Sequence, residues 1–231
     1  MAVVPVKRLG AAKSRLRGAV PTARHGELAL AMLGDTAAAV LACPEVDELL
    51  VVTDDPAAAA VARQLGARAV PDEPRAGLNA AFRFGADVVA GRDRRRIAMT
   101  GDLPALRPEE LSSALEKVDV RSFVADAAGT GTVLLAVLEG FDLDPHFGVG
   151  SARAHEHSRA TNITEQWPGQ WPGQWPGLRQ DVDTADDLRA VLEIGPGPRT
   201  GALLRDLEGE KHAGNRRNLR CRVAHRDVAP G

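Results

Sequence analysis

The chain has 231 residues, 44% of them hydrophobic, and a formal net charge of −2 at pH 7. This length supplies the core of one α/β domain, whereas two independent domains would be cramped. The nearly balanced charge argues against a general nucleic-acid binder, which usually presents a strongly basic face, so we expect a small-molecule partner.

Strand and helix patterns alternate from the first residue. Strands are predicted over residues 2–6, 48–53, 67–70, 97–100, 123–125 and 132–138. Helices are predicted over residues 22–42, 56–65, 78–89, 108–118, 152–158 and 184–194, with one more turn near 200–204. Because such alternation produces parallel strands with helices on both faces, we expect an α/β fold with a mostly parallel mixed sheet in an α/β/α sandwich.

Two C-terminal segments differ from this pattern. Residues 166–177 read Gln-Trp-Pro-Gly three times and contain every tryptophan of the chain. Spaced proline and glycine exclude a regular helix or an inner strand, so this segment is predicted to be a duplicated surface loop, with an aromatic ligand platform as the alternative. Residues 205–231 are polar and arginine-rich, and we expect a disordered tail after one folded domain over residues 1–204.

A basic loop follows the first strand. Its cations are Lys7, Arg8, Lys13 and Arg15, with Gly10 among them. A strand that ends in a turn of small residues exposes backbone N–H groups, and flanking cations add positive charge, so the loop suits phosphates. It matches neither GxxxxGK[ST] nor GxGxxG, and on its own it is equally compatible with a solvated surface loop.

Carboxylates lie beside two other predicted elements, after the strand over residues 97–100 and directly before the helix over residues 184–194. Asp102 comes after Gly101 at the end of a predicted central strand, where ligands of open α/β sheets bind. Asp181 and Asp183 lie on one side of an extended stretch. Because Mg²⁺ prefers hard oxygen ligands, we expect these aspartates to converge on a metal and substrate phosphates, with helix capping as the alternative.

Other side chains do not suggest a different chemistry. His155 and His157 are two residues apart, which places them on different faces of a helix and predicts an exposed helix rather than a zinc pair. Cys43 and Cys221 cannot build a disulfide framework or a CxxC metal site. No apolar run approaches a bilayer span, so we expect a cytoplasmic protein without a membrane partner.

Several segments, taken in order, are similar to one enzyme family. They are Val4-Pro5-Val6-Lys7-Arg8-Leu9, Ala12-Lys13-Ser14-Arg15-Leu16, Gly101-Asp102-Leu103-Pro104, Gly129-Thr130-Gly131-Thr132, Phe147-Gly148-Val149-Gly150-Ser151 and Asp181-Val182-Asp183-Thr184. Together they resemble the phospholactate/phosphoenolpyruvate guanylyltransferases of coenzyme F-420 biosynthesis. The resemblance implies a nucleotide-diphospho-sugar transferase-like fold and a reaction in which the phosphate of a three-carbon acid attacks the α-phosphorus of GTP.

The resemblance also implies site residues. Catalysis would fall to Lys7, Lys13, Arg15 and Asp102, and nucleotide binding to Arg8, Gly10, Asn79 and Gly101. The acceptor would lie against Thr132, Val133, Gly148 and Ser151, and Mg²⁺, expected as two ions, against Asp102, Asp181 and Asp183. Val133 stands where the family often has a polar residue, so its contact with the acceptor would be through backbone.

The same resemblance implies the substrates and partners. These are GTP, phosphoenolpyruvate or 2-phospho-L-lactate, and a downstream transferase that consumes the guanylylated intermediate, with a homodimer left open. The alanine- and arginine-rich composition favours phosphoenolpyruvate as the acceptor. Two other functions remain as alternatives: a related nucleotidyltransferase acting on a sugar phosphate or a molybdenum cofactor, and a non-catalytic GTP-sensing module.

Overall fold

A computed structural model describes residues 1–7, 16, 19–164 and 174–210. Within these ranges seven strands form one sheet: β1 (Ala2–Val6), β2 (Leu49–Thr53), β3 (Arg68–Val70), β4 (Arg96–Met99), β5 (Arg121–Ala125), β6 (Thr132–Val137) and β7 (Thr161–Asn162). Their order is β3-β2-β1-β4-β6-β5-β7. Strand β6 pairs antiparallel with β4 and β5, and the other pairings are parallel, so the predicted mixed sheet is confirmed.

Helices connect these strands. They are α1 (His25–Leu41), α2 (Pro56–Gln64), α3 (Leu78–Arg83), α4 (Pro108–Leu115), α5 (Ser151–His157), α6 (Pro176–Arg179), α7 (Ala185–Ile194) and α8 (198–210). A π-helical stretch, Phe84–Val89, continues α3. No helix among the described residues is long and apolar enough to cross a membrane.

The core occupies both faces of the sheet because successive strand side chains point in opposite directions. Ala2 and Val4 of β1 pack in one cluster with residues of α1, α2 and α4, whereas Val3 packs in a second cluster with residues of α3 and α5. These two layers confirm the predicted α/β/α sandwich. A third cluster joins α1, α7 and α8.

Helix α8 extends the folded part beyond the predicted end at residue 204. Leu207 is 4% exposed, and Arg24 donates to Asp206 at 2.9 Å and to Glu210 at 2.6 Å. The polar composition of this stretch therefore reflects an amphipathic helix on the N-terminal end of α1. Residues 211–231, the rest of the predicted tail, lie outside the described residues.

The last tryptophan repeat also differs from the expected surface loop. Trp175 is 5% exposed and belongs to the main core cluster, and α6 begins directly after it at Pro176. The remaining repeat residues, 166–173, lie outside the described ranges. A large apolar ring stabilises the fold most when it is buried. The last repeat therefore contributes Trp175 to the core.

Candidate functional site

Charged residues of four parallel strands meet at one edge of the sheet. Lys7 follows β1, Asp54 follows β2, Asp72 follows β3 and Asp102 follows β4. Parallel strands end at the same edge, which is where α/β sheets bind ligands. The start of antiparallel β6 reaches the same edge, since the Thr100 N–H donates to the carbonyl of residue 133 at 3.1 Å.

A pocket of about 380 Å³ lies beside β1, β2 and β3. It is lined by Val6, Lys7, Asp54, Asp72, Arg75 and Gly77. Asp54 organises the loop after β3 because its carboxylate accepts from the Asp72 N–H at 3.3 Å and pairs with Arg75 Nε at 3.1 Å. The Arg75 N–H donates in turn to the Asp72 carboxylate at 3.2 Å.

This loop carries unusual backbone geometry. Arg75 has a φ of 46° and Gly77 a φ of 97°. Non-glycine residues rarely adopt positive φ, and such strain is concentrated at ligand-binding loops. The motifs do not single out Asp54, Asp72 and Arg75; the only signal for them is their position just after two predicted strands.

Gly101 positions Asp102 through packing. A Cβ at Gly101 would lie 2.9 Å from Val4 Cγ1 and 3.4 Å from Leu33 Cδ1, so only glycine lets the chain pass between β1 and α1. The next turn is fixed by Thr36, whose hydroxyl oxygen accepts from the Leu103 N–H at 3.0 Å. Asp102 is half-buried on this turn. Direct nucleotide contact by Gly101 stays a prediction.

Trp175 anchors the segment that leads to the late aspartates. The Lys117 ammonium lies 4.9 Å from its ring centroid, a cation–π distance. Two residues later, the Gly177 N–H donates to Glu110 at 3.0 Å, and a Cβ at Gly177 would lie 2.1 Å from the Ala105 carbonyl oxygen. Burial raises the pKa of the Glu110 carboxyl. The glycine therefore allows this segment to lie directly on the loop that follows Asp102.

Arg179 extends this contact across the end of β5. Its guanidinium donates to the carbonyls of Ala125 at 3.1 Å and Asp126 at 2.8 Å, and its own carbonyl accepts from the Ala127 N–H at 2.8 Å. The segment thus spans the edge of the sheet from α4 to β5.

Asp181 and Asp183 flank Val182, which is buried in one cluster with Ala105. This packing brings the segment to the loop after Asp102. Thr184 caps α7, and the Asp187 carboxylate accepts from the N–H groups of residues 183 and 184, at 3.0 Å and 2.7 Å. The capping role considered for the cluster is therefore filled by Thr184 and Asp187.

The three aspartates predicted to bind metal do not form a preformed cluster. Within the described ranges no group of three or more His, Cys, Asp or Glu side chains is placed to hold a metal ion. A metal held by one or two aspartates would need further oxygen ligands, which substrate phosphates commonly supply. Metal binding by Asp102, Asp181 and Asp183 stays a prediction.

The turn between β5 and β6 forms one wall of the predicted acceptor site. Asp126 accepts from the N–H groups of Thr130 and Gly131, each at 2.9 Å. The carbonyl of Thr130 accepts from the Ala152 N–H at 3.2 Å, which ties the turn to α5. Val133 is fully buried, so its side chain faces the core, as a backbone-only contact requires.

Residues 147–151 form the second wall of the predicted acceptor site. Gly148 and Gly150 have φ of 135° and 69°, and a Cβ at either would meet nothing within 4 Å, so this loop faces open space. Ser151 begins α5, is 2% exposed, and its N–H donates to the Gly148 carbonyl at 3.1 Å.

His155 connects the two walls and is buried, contrary to the predicted exposed helix. Its Nδ1 lies 2.9 Å from the Thr132 hydroxyl, and its Nε2 accepts from the His146 N–H at 2.9 Å. Burial lowers the pKa of His155 to about 4, the nearby His146 and Arg121 lower it further by smaller amounts, and the carboxylate of Asp144 partly opposes them. Helical spacing correctly predicts that His155 and His157 lie on different faces of the helix, but it does not show which face is buried.

Asn79 holds the second wall from the other side. Its Nδ2 donates to the Phe147 carbonyl at 3.0 Å, and its Oδ1 accepts from the Phe147 N–H at 2.7 Å. The amide thus satisfies both backbone groups of one residue. Phe147 stacks on Phe82, with ring centroids 4.2 Å apart. The Asn79 amide therefore binds the protein's own backbone in this structure. Nucleotide contact by Asn79 stays a prediction.

The remaining predicted cation-loop residues, Arg8, Gly10, Lys13 and Arg15, lie outside the described residues. Lys7 is described, is exposed and lines the pocket. The first cation of the predicted basic loop therefore lies at the pocket.

Comparison with known proteins identifies the family of the chain. The model of the family described as "Guanylyl transferase CofC like" matches residues 1–226. The chain belongs to this family. The phosphoenolpyruvate guanylyltransferase of Salinispora arenicola is 52% identical over 210 residues, which cover 87% of this chain and 91% of that protein. The protein of the same name from Geodermatophilus obscurus is 52% identical over 209 residues, covering 87% and 92%.

A solved structure supports the fold of this guanylyl transferase. A putative nucleotide-diphospho-sugar transferase from Desulfovibrio desulfuricans aligns with a TM-score of 0.61 at 17% identity, covering 90% of this chain and 94% of that one. The family match and the relatives identify the chain as a nucleotidyltransferase, and the structural likeness shows that it shares the fold of the Desulfovibrio desulfuricans chain. Its site offers cations and carboxylates at adjacent strand ends, which suits a reaction that depends on positioning and charge neutralisation.

Proposed function

We propose that the protein transfers GMP from GTP to the phosphate of phosphoenolpyruvate. An anionic phosphate oxygen of the acceptor attacks the α-phosphorus of GTP, a P–O bond forms, and the bond to the bridging oxygen breaks so that pyrophosphate leaves. The nucleophile is already ionised, so no general base is needed. The two relatives above support this acceptor because each is named a phosphoenolpyruvate guanylyltransferase and is 52% identical to this chain, and 2-phospho-L-lactate is the alternative.

The order of the strands carries the proposal. Lys7 and Asp102 follow neighbouring strands, β1 and β4, in the middle of the edge. The pocket lies to one side, over β2 and β3, and the loops of the predicted acceptor site lie to the other, over β6 and β5. We therefore assign the nucleoside to the pocket, the triphosphate to the region between Lys7 and Asp102, and the acceptor to the turn opposite.

Mg²⁺ would complete the site. We infer that Asp102 holds it together with Asp181 or Asp183 and phosphate oxygens, because all of these are hard oxygen ligands. The packing of Val182 against the loop after Asp102 supports the closeness of these segments. When bound, the ion would neutralise charge that develops on the phosphates.

Asp72 is our candidate for reading the guanine. Guanine presents two neighbouring donors, N1–H and the N2 amino group, which a carboxylate can accept together, whereas adenine presents no such pair. Asp54 already binds the Asp72 N–H and Arg75, so its carboxylate fixes the loop. One carboxylate oxygen of Asp72 accepts from the Arg75 N–H, and the Asp72 side chain lines the pocket.

Pyrophosphate release with a panel of substrates tests the function. The wild-type protein with Mg²⁺ should release pyrophosphate from GTP in the presence of phosphoenolpyruvate, and only weakly from ATP, CTP or UTP. Xanthine carries an oxygen where guanine carries its N2 amino group, so Asp72→Asn should prefer xanthosine triphosphate over GTP. Glu73→Gln is the matched control, since it neutralises the neighbouring carboxylate, which does not line the pocket. GTP turnover without any dependence on a three-carbon phospho-acid would contradict the proposal.

A further inference from the structure

His155 connects the two walls of the acceptor site through both of its ring nitrogens. The side chain is fully buried on α5, with Nδ1 on the Thr132 hydroxyl and Nε2 on the backbone N–H of His146. Phe147 and Phe123 surround the ring, with centroids 5.3 and 5.6 Å from it. A buried side chain whose two nitrogens bind the start of β6 and the loop before Gly148 is placed to fix both segments.

The contact with His146 decides which nitrogen carries the proton. A backbone N–H can only donate, so Nε2 must be the bare acceptor nitrogen. The neutral ring then has its proton on Nδ1, and Nδ1–H donates to the Thr132 oxygen. Because that oxygen accepts from His155, the hydroxyl proton of Thr132 is left for a different acceptor.

We propose that His155 is a positioning residue of the acceptor site, whose fixed tautomer makes the Thr132 hydroxyl a donor to an anionic oxygen of the acceptor. This inference rests on the proposed function, which places the acceptor between Thr132 and Gly148. By accepting from His146, the ring also fixes the backbone that leads into Gly148. His155 thereby orders a donor on one wall and a backbone loop on the other.

The tautomer is tested without any assay of activity. Nitrogen-15 NMR of the full chain labelled at histidine, at pH 7.5, reports protonation of each ring nitrogen, and His155→Asn identifies the His155 signals. The expected result is a protonated Nδ1 and a bare Nε2. A proton on Nε2, or on both nitrogens, would overturn the proposal.

The positioning role is tested by steady-state kinetics of the full chain. His155→Phe keeps a ring and removes both hydrogen bonds, and Thr132→Val removes the hydroxyl. Each variant should raise KM for phosphoenolpyruvate about tenfold or more, as expected for one lost hydrogen bond to a charged group, and change KM for GTP less than about twofold. Because His155→Phe already removes the contact that orients the Thr132 hydroxyl, the two losses should not add, and the double variant should be no worse than His155→Phe alone.

The controls separate this role from a general loss of folding. His25→Phe removes another buried histidine, whose Nε2 lies 3.0 Å from the Val20 carbonyl, and should leave both KM values unchanged. His155→Asn can place an amide donor near the position of Nδ1, so its KM for phosphoenolpyruvate should rise less than that of His155→Phe. It also replaces His155→Phe as the test variant if that protein does not fold. Additive losses in the double variant, or an equal rise in KM for GTP, would refute the positioning role. If the wild-type protein transfers no GMP to phosphoenolpyruvate, the proposed function fails, whereas the NMR result still decides the tautomer.

Discussion

The buried imidazole of His155 makes the stability of the protein depend on pH in a defined window. Its pKa is lowered from 6.5 to about 4 in the folded protein, mainly by burial. A lowered folded-state pKa contributes stability that is fully present above pH 6.5 and is lost as the pH falls toward 4, because the unfolded chain binds the proton first. Between pH 7 and pH 5 this group alone should remove about 2 kcal/mol of unfolding free energy.

The assay is urea unfolding of the wild-type protein and His155→Phe at pH 7, 6 and 5. Other groups titrate in both proteins, so the quantity to follow is the difference between the two free energies of unfolding. This difference should shrink by about 2 kcal/mol from pH 7 to pH 5, a relative midpoint shift on the order of 1 M urea. A difference that stays constant over this range would refute a buried, neutral His155.

Two further predictions concern packing away from His155. Arg96 is fully buried and donates to Asp87 at 2.7 Å, so Asp87→Ala, which leaves the cation unpaired, should cost about 3–5 kcal/mol in urea unfolding; a cost near zero would contradict the pair's burial. Gly177→Ala places a Cβ 2.1 Å from the Ala105 carbonyl oxygen and should cost about 1–3 kcal/mol, whereas Gly26→Ala, whose Cβ meets nothing within 4 Å, should be neutral or stabilising. Equal melting temperatures for these two glycine variants would show that the Gly177 contact does not matter.

The sequence predicts the sheet well because the strands are short apolar runs separated by clear helix starts. Asp55, for example, caps α2 with its carboxylate on the N–H groups of Ala57 and Ala58, directly before Pro56. Alternation of strands and helices also predicts that Asp102 ends a central strand. The predicted end of the folded domain at residue 204 is too early, because the polar stretch after it continues an amphipathic helix to residue 210 and its Leu207 packs on the core.

Parts of the site depend on tertiary contacts that local patterns do not encode. Asp54 and Arg75 are 21 residues apart, and they pair because parallel β2 and β3 end together. Identical repeats cannot indicate that Trp175 is the copy buried in the described structure. The sequence shows that position 101 is a glycine, but only the structure shows why. A side chain at this position would collide with Val4.

The central claim is GMP transfer at the edge between Lys7 and Asp102, and phosphorus-31 NMR of the reaction tests it most directly. With GTP, Mg²⁺ and phosphoenolpyruvate, the wild-type protein should form pyrophosphate and a product in which the α-phosphorus of GMP is joined to the acceptor phosphate. Asp102→Asn should lower this rate by at least about a hundredfold through loss of metal-dependent charge stabilisation. Asp119→Asn, at an exposed position between α4 and β5, should retain the wild-type rate. Product formation at the wild-type rate by Asp102→Asn, or none by the wild-type protein, would contradict the account.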